Sequence, residues 1–154
     1  MFKGKTAIII SIFIISLAFS SCVNNQNLTS KNVEEIFSLD TTPCKDQCPV
    51  YELSLYGNKK LIFNGEENTS LNGKHEKTLS DEQFEALLGI IESADWVNLD
   101  NDYRSNVQGL PTQKFTYNRN GISKRVSRYG AGPESISNLS EIILEFVENQ
   151  VFNG

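Results

Sequence analysis

Two stretches of alternating apolar and polar residues are each followed by a segment with helical periodicity. Residues 50–56 place their larger apolar side chains on one face, which is the pattern of a half-buried strand. Gly57-Asn58 interrupts this pattern and residues 60–64 resume it, which predicts a β-hairpin. Residues 75–79 are consistent with a third, short strand.

The first helical segment begins with a capping box, in which Ser80 is the N-cap and Gln83 follows three residues later. The spacing of the apolar residues predicts an amphipathic helix over about residues 81–94. Its apolar stripe consists of Phe84, Leu87, Leu88, Ile91 and Ala94.

The second half of the chain repeats this order. Phe115 and Tyr117 alternate with polar residues, Asn120-Gly121 is a strong turn signal, and residues 122–129 return as a strand. A helix then starts at Pro133 and reaches about residue 150. Its apolar positions are Ile136, Leu139, Ile143, Phe146 and Val147.

These elements predict the α+β class: a single antiparallel sheet of two hairpins, in the order ββ(β)α–ββα, with two helices packed on one face. One domain is expected over residues 33–152. Residues 32–39 fit a short strand or a helical turn equally well, and residues 97–112 read as an irregular loop.

The first 21 residues have the pattern of an export signal. Lys3 and Lys5 precede an almost purely apolar run, Ala7–Phe19, which is short for a membrane span. The small residues leading into Cys22 resemble a bacterial lipobox, and this resemblance implies lipidation of Cys22. Ordinary cleavage after Ser20 is the alternative.

Residues 22–32 are polar and without periodicity, which is typical of a flexible tether from the lipidated cysteine. Val23 is not the aspartate associated with retention in the inner membrane. We therefore expect a lipid-anchored protein of the cell envelope, on the outer membrane and facing the periplasm.

Cys44 and Cys48 form an even pair once Cys22 is set aside as the anchor. In an oxidising compartment such a pair favours a structural disulfide. Two alternatives are thiol redox chemistry and copper handling by the same two cysteines. The spacing is not the Cys-x2-Cys of thioredoxin, and the single histidine of the chain, His75, is more typical of a solvated strand face.

The formal net charge of −5 argues against general binding of nucleic acid. One local exception is a basic cluster on the second hairpin, Arg119, Lys124, Arg125 and Arg128. This cluster is a candidate site for an anionic partner, and the alternative is an edge strand that charge keeps soluble. Asp100-Asn101-Asp102 offers oxygen ligands but has no EF-hand spacing.

The chain contains no serine-hydrolase elbow, phosphate-binding loop or zinc-protease motif. We therefore expect a non-enzymatic binding module without a cofactor or metal. Its partners are then the lipid membrane, through the acyl anchor, and an envelope protein or polysaccharide.

Three motifs together resemble an uncharacterised family of bacterial lipoprotein domains over about residues 33–150. They are Cys44-x3-Cys48-Pro49-x-Tyr51, Leu79-Ser80 before the first helix, and Tyr129-Gly130-Ala131-Gly132-Pro133 before the last. The family has no established activity, so the resemblance implies the location and the fold but no function.

Overall fold

A computed structural model describes residues 33–153 of the chain. The predicted signal peptide, Cys22 and the tether lie outside these residues, so their assignments remain predictions. The described residues contain no helix that is both long enough and apolar enough to cross a membrane.

Seven strands form one mixed sheet in the order β4-β3-β2-β1-β6-β7-β5. The strands are β1 (Glu35–Thr41), β2 (Val50–Tyr56), β3 (Lys60–Glu67), β4 (Gly73–Thr78), β5 (Asp102–Arg104), β6 (Thr112–Arg119) and β7 (Ile122–Tyr129). The helices are α1 (Asp81–Glu92), α2 (Glu134–Ser137) and α3 (Leu139–Phe146), which continues into a π-helical turn over Val147–Phe152.

The α+β class is confirmed, but the prediction of an antiparallel sheet of two hairpins is wrong in two respects. The segment at residues 35–41 is a strand, and β1 lies in the centre, antiparallel to both β2 and β6. Within the segment predicted as a loop, β5 pairs parallel to β7. The two hairpins form one sheet because β1 pairs with β2 on one side and with β6 on the other. Without β1, both β2 and β6 would have an edge without hydrogen-bond partners.

The prediction of two helices also needs correction, since the last helical segment is divided. It breaks at Asn138, where φ is −110°, and α2 and α3 lie on either side of the break. The final turn takes i→i+5 hydrogen bonding, as in the bond from Asn153 N–H to Glu148 O.

The two predicted hairpin turns differ in how they are built. Asn120 and Gly121 both have positive φ, 54° and 77°, as the two-residue turn requires. In the first hairpin the positive φ falls on Lys59 (69°), so Gly57 and Asn58 form the bend and Lys59 closes a three-residue loop.

The capping box of α1 is confirmed in both directions: Ser80 Oγ accepts from Gln83 N–H, and Gln83 Oε1 accepts from Ser80 N–H. Gln83 Nε2 also donates to Gln150 O at 2.7 Å. The cap of the first helix therefore also binds the end of the last one.

The helices cover only one face of the sheet. Phe37, Leu53, Phe63 and Phe115 on that face are at most 1% exposed. Trp96 stacks on Tyr117 with ring centroids 5.0 Å apart, which fills the margin of the core after α1. The opposite face is polar and carries no helix among the described residues.

Candidate functional site

The loop between β1 and β2 is closed by a disulfide. Cys44 and Cys48 are bonded, with Cα atoms 5.7 Å apart, and this predicted pairing is confirmed. Thr41 supports the loop from inside: its Oγ1 accepts from Tyr51 N–H at 2.9 Å and donates to Pro49 O at 3.0 Å. The disulfide and one buried hydroxyl therefore hold both ends of the loop.

The same loop is docked on its neighbours. Lys45 N–H donates to Gly109 O at 2.8 Å, and Asn68 Nδ2 donates to Cys48 O at 3.0 Å. Gly109 has φ 84°, and a Cβ there would lie 2.8 Å from Lys45 Cβ. Glycine is thus needed at 109 both for its backbone angle and for this close approach.

A cavity of about 70 Å³ lies beside the disulfide, at the end of the sheet where β1 ends and β2 begins. Its volume is about half that of an engineered cavity that binds benzene, so it suits a small side chain or aliphatic group. The walls come from the disulfide loop, β1, β2, β6 and α3. They consist of Thr41, Cys48, Pro49, Tyr51, Pro111, Gln113, Ser140, Glu141 and Leu144.

A chain of hydrogen bonds runs along the buried side of the cavity. Arg128 Nη1 donates to Gln113 Oε1 at 2.7 Å, and Gln113 Nε2 donates to Ser140 Oγ at 2.5 Å. Tyr51 Oη donates to Ser140 O at 2.6 Å. Gln113 and Ser140 are 8% and 3% exposed, so these bonds replace lost hydration and fix the positions of the polar groups.

The surroundings determine the charge state of both ends of this chain. Burial, and then the negative charges of Glu141 and Glu148, raise the pKa of Tyr51 above its ordinary value. Burial lowers the pKa of Arg128, and Glu141 opposes that effect. Tyr51 therefore stays protonated at neutral pH and acts as a hydrogen-bond donor, whereas a general base would have to accept a proton.

Tyr51→Phe should change how stability depends on pH. Because the folded-state pKa is raised above the unfolded value near 10, the contribution of Tyr51 is fully present below pH 10 and is lost as pH rises. The wild type should therefore lose about 1.4 kcal/mol per pH unit above 10 relative to the variant. Urea unfolding of both proteins between pH 8 and 11 measures this difference, and parallel curves would contradict it.

Cys44→Ser should leave the fold formed and lower the free energy of unfolding by about 2 kcal/mol, the loop-closure entropy of so short a ring. Urea unfolding measures the loss, and reductant added to the wild type should reproduce it. Loss of all folded signal would mean that the loop contributes more than its closure entropy.

The other candidate ligands lie elsewhere. His75 is half-buried on the edge strand β4, where its ring packs edge-on against Phe152 at 5.5 Å and its Nε2 lies 2.9 Å from Asn72 O. Asp102 accepts from Arg104 Nε, and Asn101 O accepts from Ser127 N–H. Across residues 33–153, no three side chains of the His, Cys, Asp or Glu type are grouped as a metal site would require.

Three of the four basic residues of the second hairpin lie on the helix-covered face of the sheet, and the fourth, Arg125, lies on the open face. Arg119 forms an ion pair with Glu92 at 3.1 Å, and Arg128 is engaged with Gln113. Lys124 lies on the helix-covered face, whereas Arg125 lies on the open face. An anionic partner for these four residues stays a prediction.

Sequence reasoning missed Gln113, Ser140 and Glu141. Ser140 falls on the apolar stripe of its helix, four residues after Ile136 and three before Ile143. Gln113 occupies an inward position two residues before Phe115. In both cases the sequence places a polar residue at a core position. A buried polar residue of this kind indicates a hydrogen-bond partner inside the protein.

Comparison with known proteins identifies a family for the domain. The profile of a domain of unknown function, DUF6438, matches residues 35–147, which include all seven strands, α1, α2 and α3. No curated protein and no solved structure shows a significant match. The profile spans most of the chain, and the protein therefore belongs to the DUF6438 family.

Proposed function

We propose that this protein is a lipid-anchored protein of the cell envelope whose domain binds a partner without catalysing a reaction. The cavity beside the Cys44–Cys48 disulfide is its binding site. The observation that carries this proposal is the construction of that cavity. A loop closed by a disulfide and docked through Lys45 and Asn68 forms one wall, and the hydrogen-bonded Gln113 and Ser140 lie on other walls of the same cavity.

The leader supports export and anchoring. Lys3, Lys5 and the apolar run precede Cys22, and a disulfide is the form expected of a cysteine pair in an oxidising compartment. Ten residues between Cys22 and Val33 reach at most about 35 Å, which keeps the domain within reach of other envelope components.

The direction of β1 separates the cavity from the beginning of the first strand. Glu35, at the beginning of β1, lies beside Tyr56 and Asn118, next to both hairpin turns. Thr41, at the other end, lines the cavity. Seven residues of strand separate the two ends by about 20 Å, so the cavity and the beginning of β1 are at opposite ends of the sheet.

The lining favours a small apolar group that carries one hydrogen-bonding atom. Pro49, Pro111 and Leu144 contribute apolar parts of the wall, whereas Gln113 and Ser140 supply polar atoms that are already oriented. A rigid site of this kind loses little entropy on binding. A side chain of an envelope protein or a group of an envelope polysaccharide could fill the cavity and form this hydrogen bond.

Site-specific photocrosslinking in cells tests this proposal. Glu141 is exposed at the cavity rim, and Glu145 is exposed one turn later on the same helix. A photoreactive residue at 141 should give a discrete adduct that is absent from position 145. Leu144→Phe, which fills the cavity, should remove the adduct while melting temperature confirms folding; equal adducts from both positions would contradict the proposal.

A thiol redox or copper-handling role is the second candidate, because Cys48 borders the cavity and is open to a small reactant there. The two thiolates, if reduced, could bind Cu(I), whereas the single histidine of the chain, His75, lies two strands away from β2, on β4. The two candidates differ in the redox state that the pair must have in the cell.

A further inference from the structure

The outer edge of β7 is only partly covered by β5. The short strand β5 pairs with Ser127, Arg128 and Tyr129. The first part of β7, residues 122–126, has β6 on one side and, among the described residues, no strand on the other. This uncovered segment is here called the β7 edge.

The orientation of the backbone on the β7 edge follows from two observations. Ser127 N–H donates outward to Asn101 O, and Tyr129 O accepts from Ser105 N–H, both at 2.8 Å. Alternate residues of an antiparallel strand direct their backbone groups to the same side. Ser123 and Arg125 therefore point their N–H and C=O groups outward, and residues 33–153 provide no hydrogen-bond partner for them.

The charge of the β7 edge indicates which strand could pair with it. Arg125 is exposed on the open face and Lys124 is half-buried on the other, and within residues 33–153 neither has a carboxylate within 4.0 Å. Three neighbouring cations are ion-paired, Arg119 with Glu92, Lys114 with Asp40 and Arg104 with Asp102, and a fourth, Arg128, donates to Gln113.

Two depressions lie on the open face of the sheet, along the β6–β7 hairpin. One of about 320 Å³ includes Lys114, Thr116, Arg125 and Ser127 in its lining. The other, about 420 Å³, includes Arg119, Asn120 and Ser123. Side chains of an added strand alternate between faces, so the depression that includes Arg125 can receive only those that point to the open face.

We propose that an acidic, extended peptide segment of a partner protein adds to the sheet as a strand along the β7 edge. Its backbone pairs with Ser123 and Arg125, and carboxylates on its two faces meet Arg125 and Lys124. A second copy of this chain fits less well, because pairing two β7 edges would bring their cations together. This surface is separate from the disulfide cavity, and the proposal goes beyond the function proposed above.

Amide hydrogen exchange on the full-length protein tests the proposal. The probe is the capped hexapeptide Thr-Val-Glu-Glu-Val-Thr, and the matched control replaces both glutamates by lysine. The acidic peptide should slow exchange of the Ser123 and Arg125 amides at least tenfold, whereas the basic peptide should leave them unchanged. No slowing, or equal slowing by both peptides, would overturn the proposal.

Proline variants separate strand addition from simple charge attraction. Ser123→Pro and Arg125→Pro remove outward N–H groups and should abolish the protection, whereas Lys124→Pro removes a bond to β6 and should lower the melting temperature. Arg125→Glu, which keeps the backbone, should make the edge prefer the basic peptide. Unchanged protection of Arg125→Glu by the acidic peptide would contradict the assignment. A dimer that forms without peptide and is lost in Ser123→Pro would also contradict it.

The cavity-filling Leu144→Phe variant distinguishes this proposal from the previous one. It should bind the acidic peptide like the wild type while it loses the Glu141 photocrosslink. Loss of peptide protection in this variant would contradict a separate surface on β7.

Discussion

Phe37→Ala is expected to lower the free energy of unfolding by about 3–5 kcal/mol, the usual cost of removing a buried phenylalanine ring. Phe37 is fully buried in the central strand, between Leu55 on β2 and Tyr117 on β6, and its ring lies edge-on to Trp96 at 6.0 Å. The variant loses the side-chain contacts of the ring, and the surrounding side chains can fill the space only in part.

Ser38→Ala is the matched control. Ser38 is the next residue on the same strand and faces the open side of the sheet, so its truncation should change stability by no more than about 0.5 kcal/mol. Urea unfolding of both variants gives the free energies and the m-values. Similar losses in the two variants would contradict a core confined to the helix-covered face.

Cys22→Ser is expected to release nearly all of the protein from the membrane fraction and to abolish incorporation of labelled palmitate. Acyl chains contribute about 0.8 kcal/mol per buried methylene, so the anchor dominates membrane affinity once the leader has been removed. Fractionation of cell envelopes and metabolic labelling measure the two effects.

Cys44→Ser is the control for this experiment, because it removes a cysteine without touching the proposed anchor. It should keep both the label and the membrane fraction. A Cys22→Ser protein that stays labelled and membrane-bound would contradict lipidation. Ordinary cleavage after Ser20 would leave the wild type itself soluble and unlabelled.

Local patterns predicted most of the elements because their signals lie within a few residues of each other. The capping box of Ser80 and Gln83 and the turn at Asn120-Gly121 both formed as predicted. The same patterns left residues 32–39 ambiguous. Alternation within one strand does not say which other strands lie beside it, and Phe37 shows its importance only once β2 and β6 are in place.

The parallel strand β5 was not predictable from periodicity. It has three residues, and only Tyr103 of these is even partly buried. Its position depends on contacts made far along the chain, such as Ser127 N–H with Asn101 O. Strands this short are formed by tertiary pairing more than by their own residue preferences.

The cavity was predictable in part. The sequence pointed to Cys44 and Cys48, and the resemblance included Tyr51, but Gln113 and Ser140 come from distant segments. Their hydrogen bond joins residues 27 positions apart, and that from Tyr51 to Ser140 joins residues 89 positions apart. Gln113 and Ser140 could be identified as candidates because they are polar residues at core positions. That they contact each other follows only from the folded structure.

The redox state of Cys44 and Cys48 in living cells tests the account most directly. Rapid acid quenching and alkylation with a mass-shifting reagent report how many of these thiols are free. We predict that the pair is fully oxidised during growth and holds no copper after purification under non-reducing conditions. A reduced or cycling pair, or bound copper, would contradict a structural disulfide and would make thiol chemistry the function of the site.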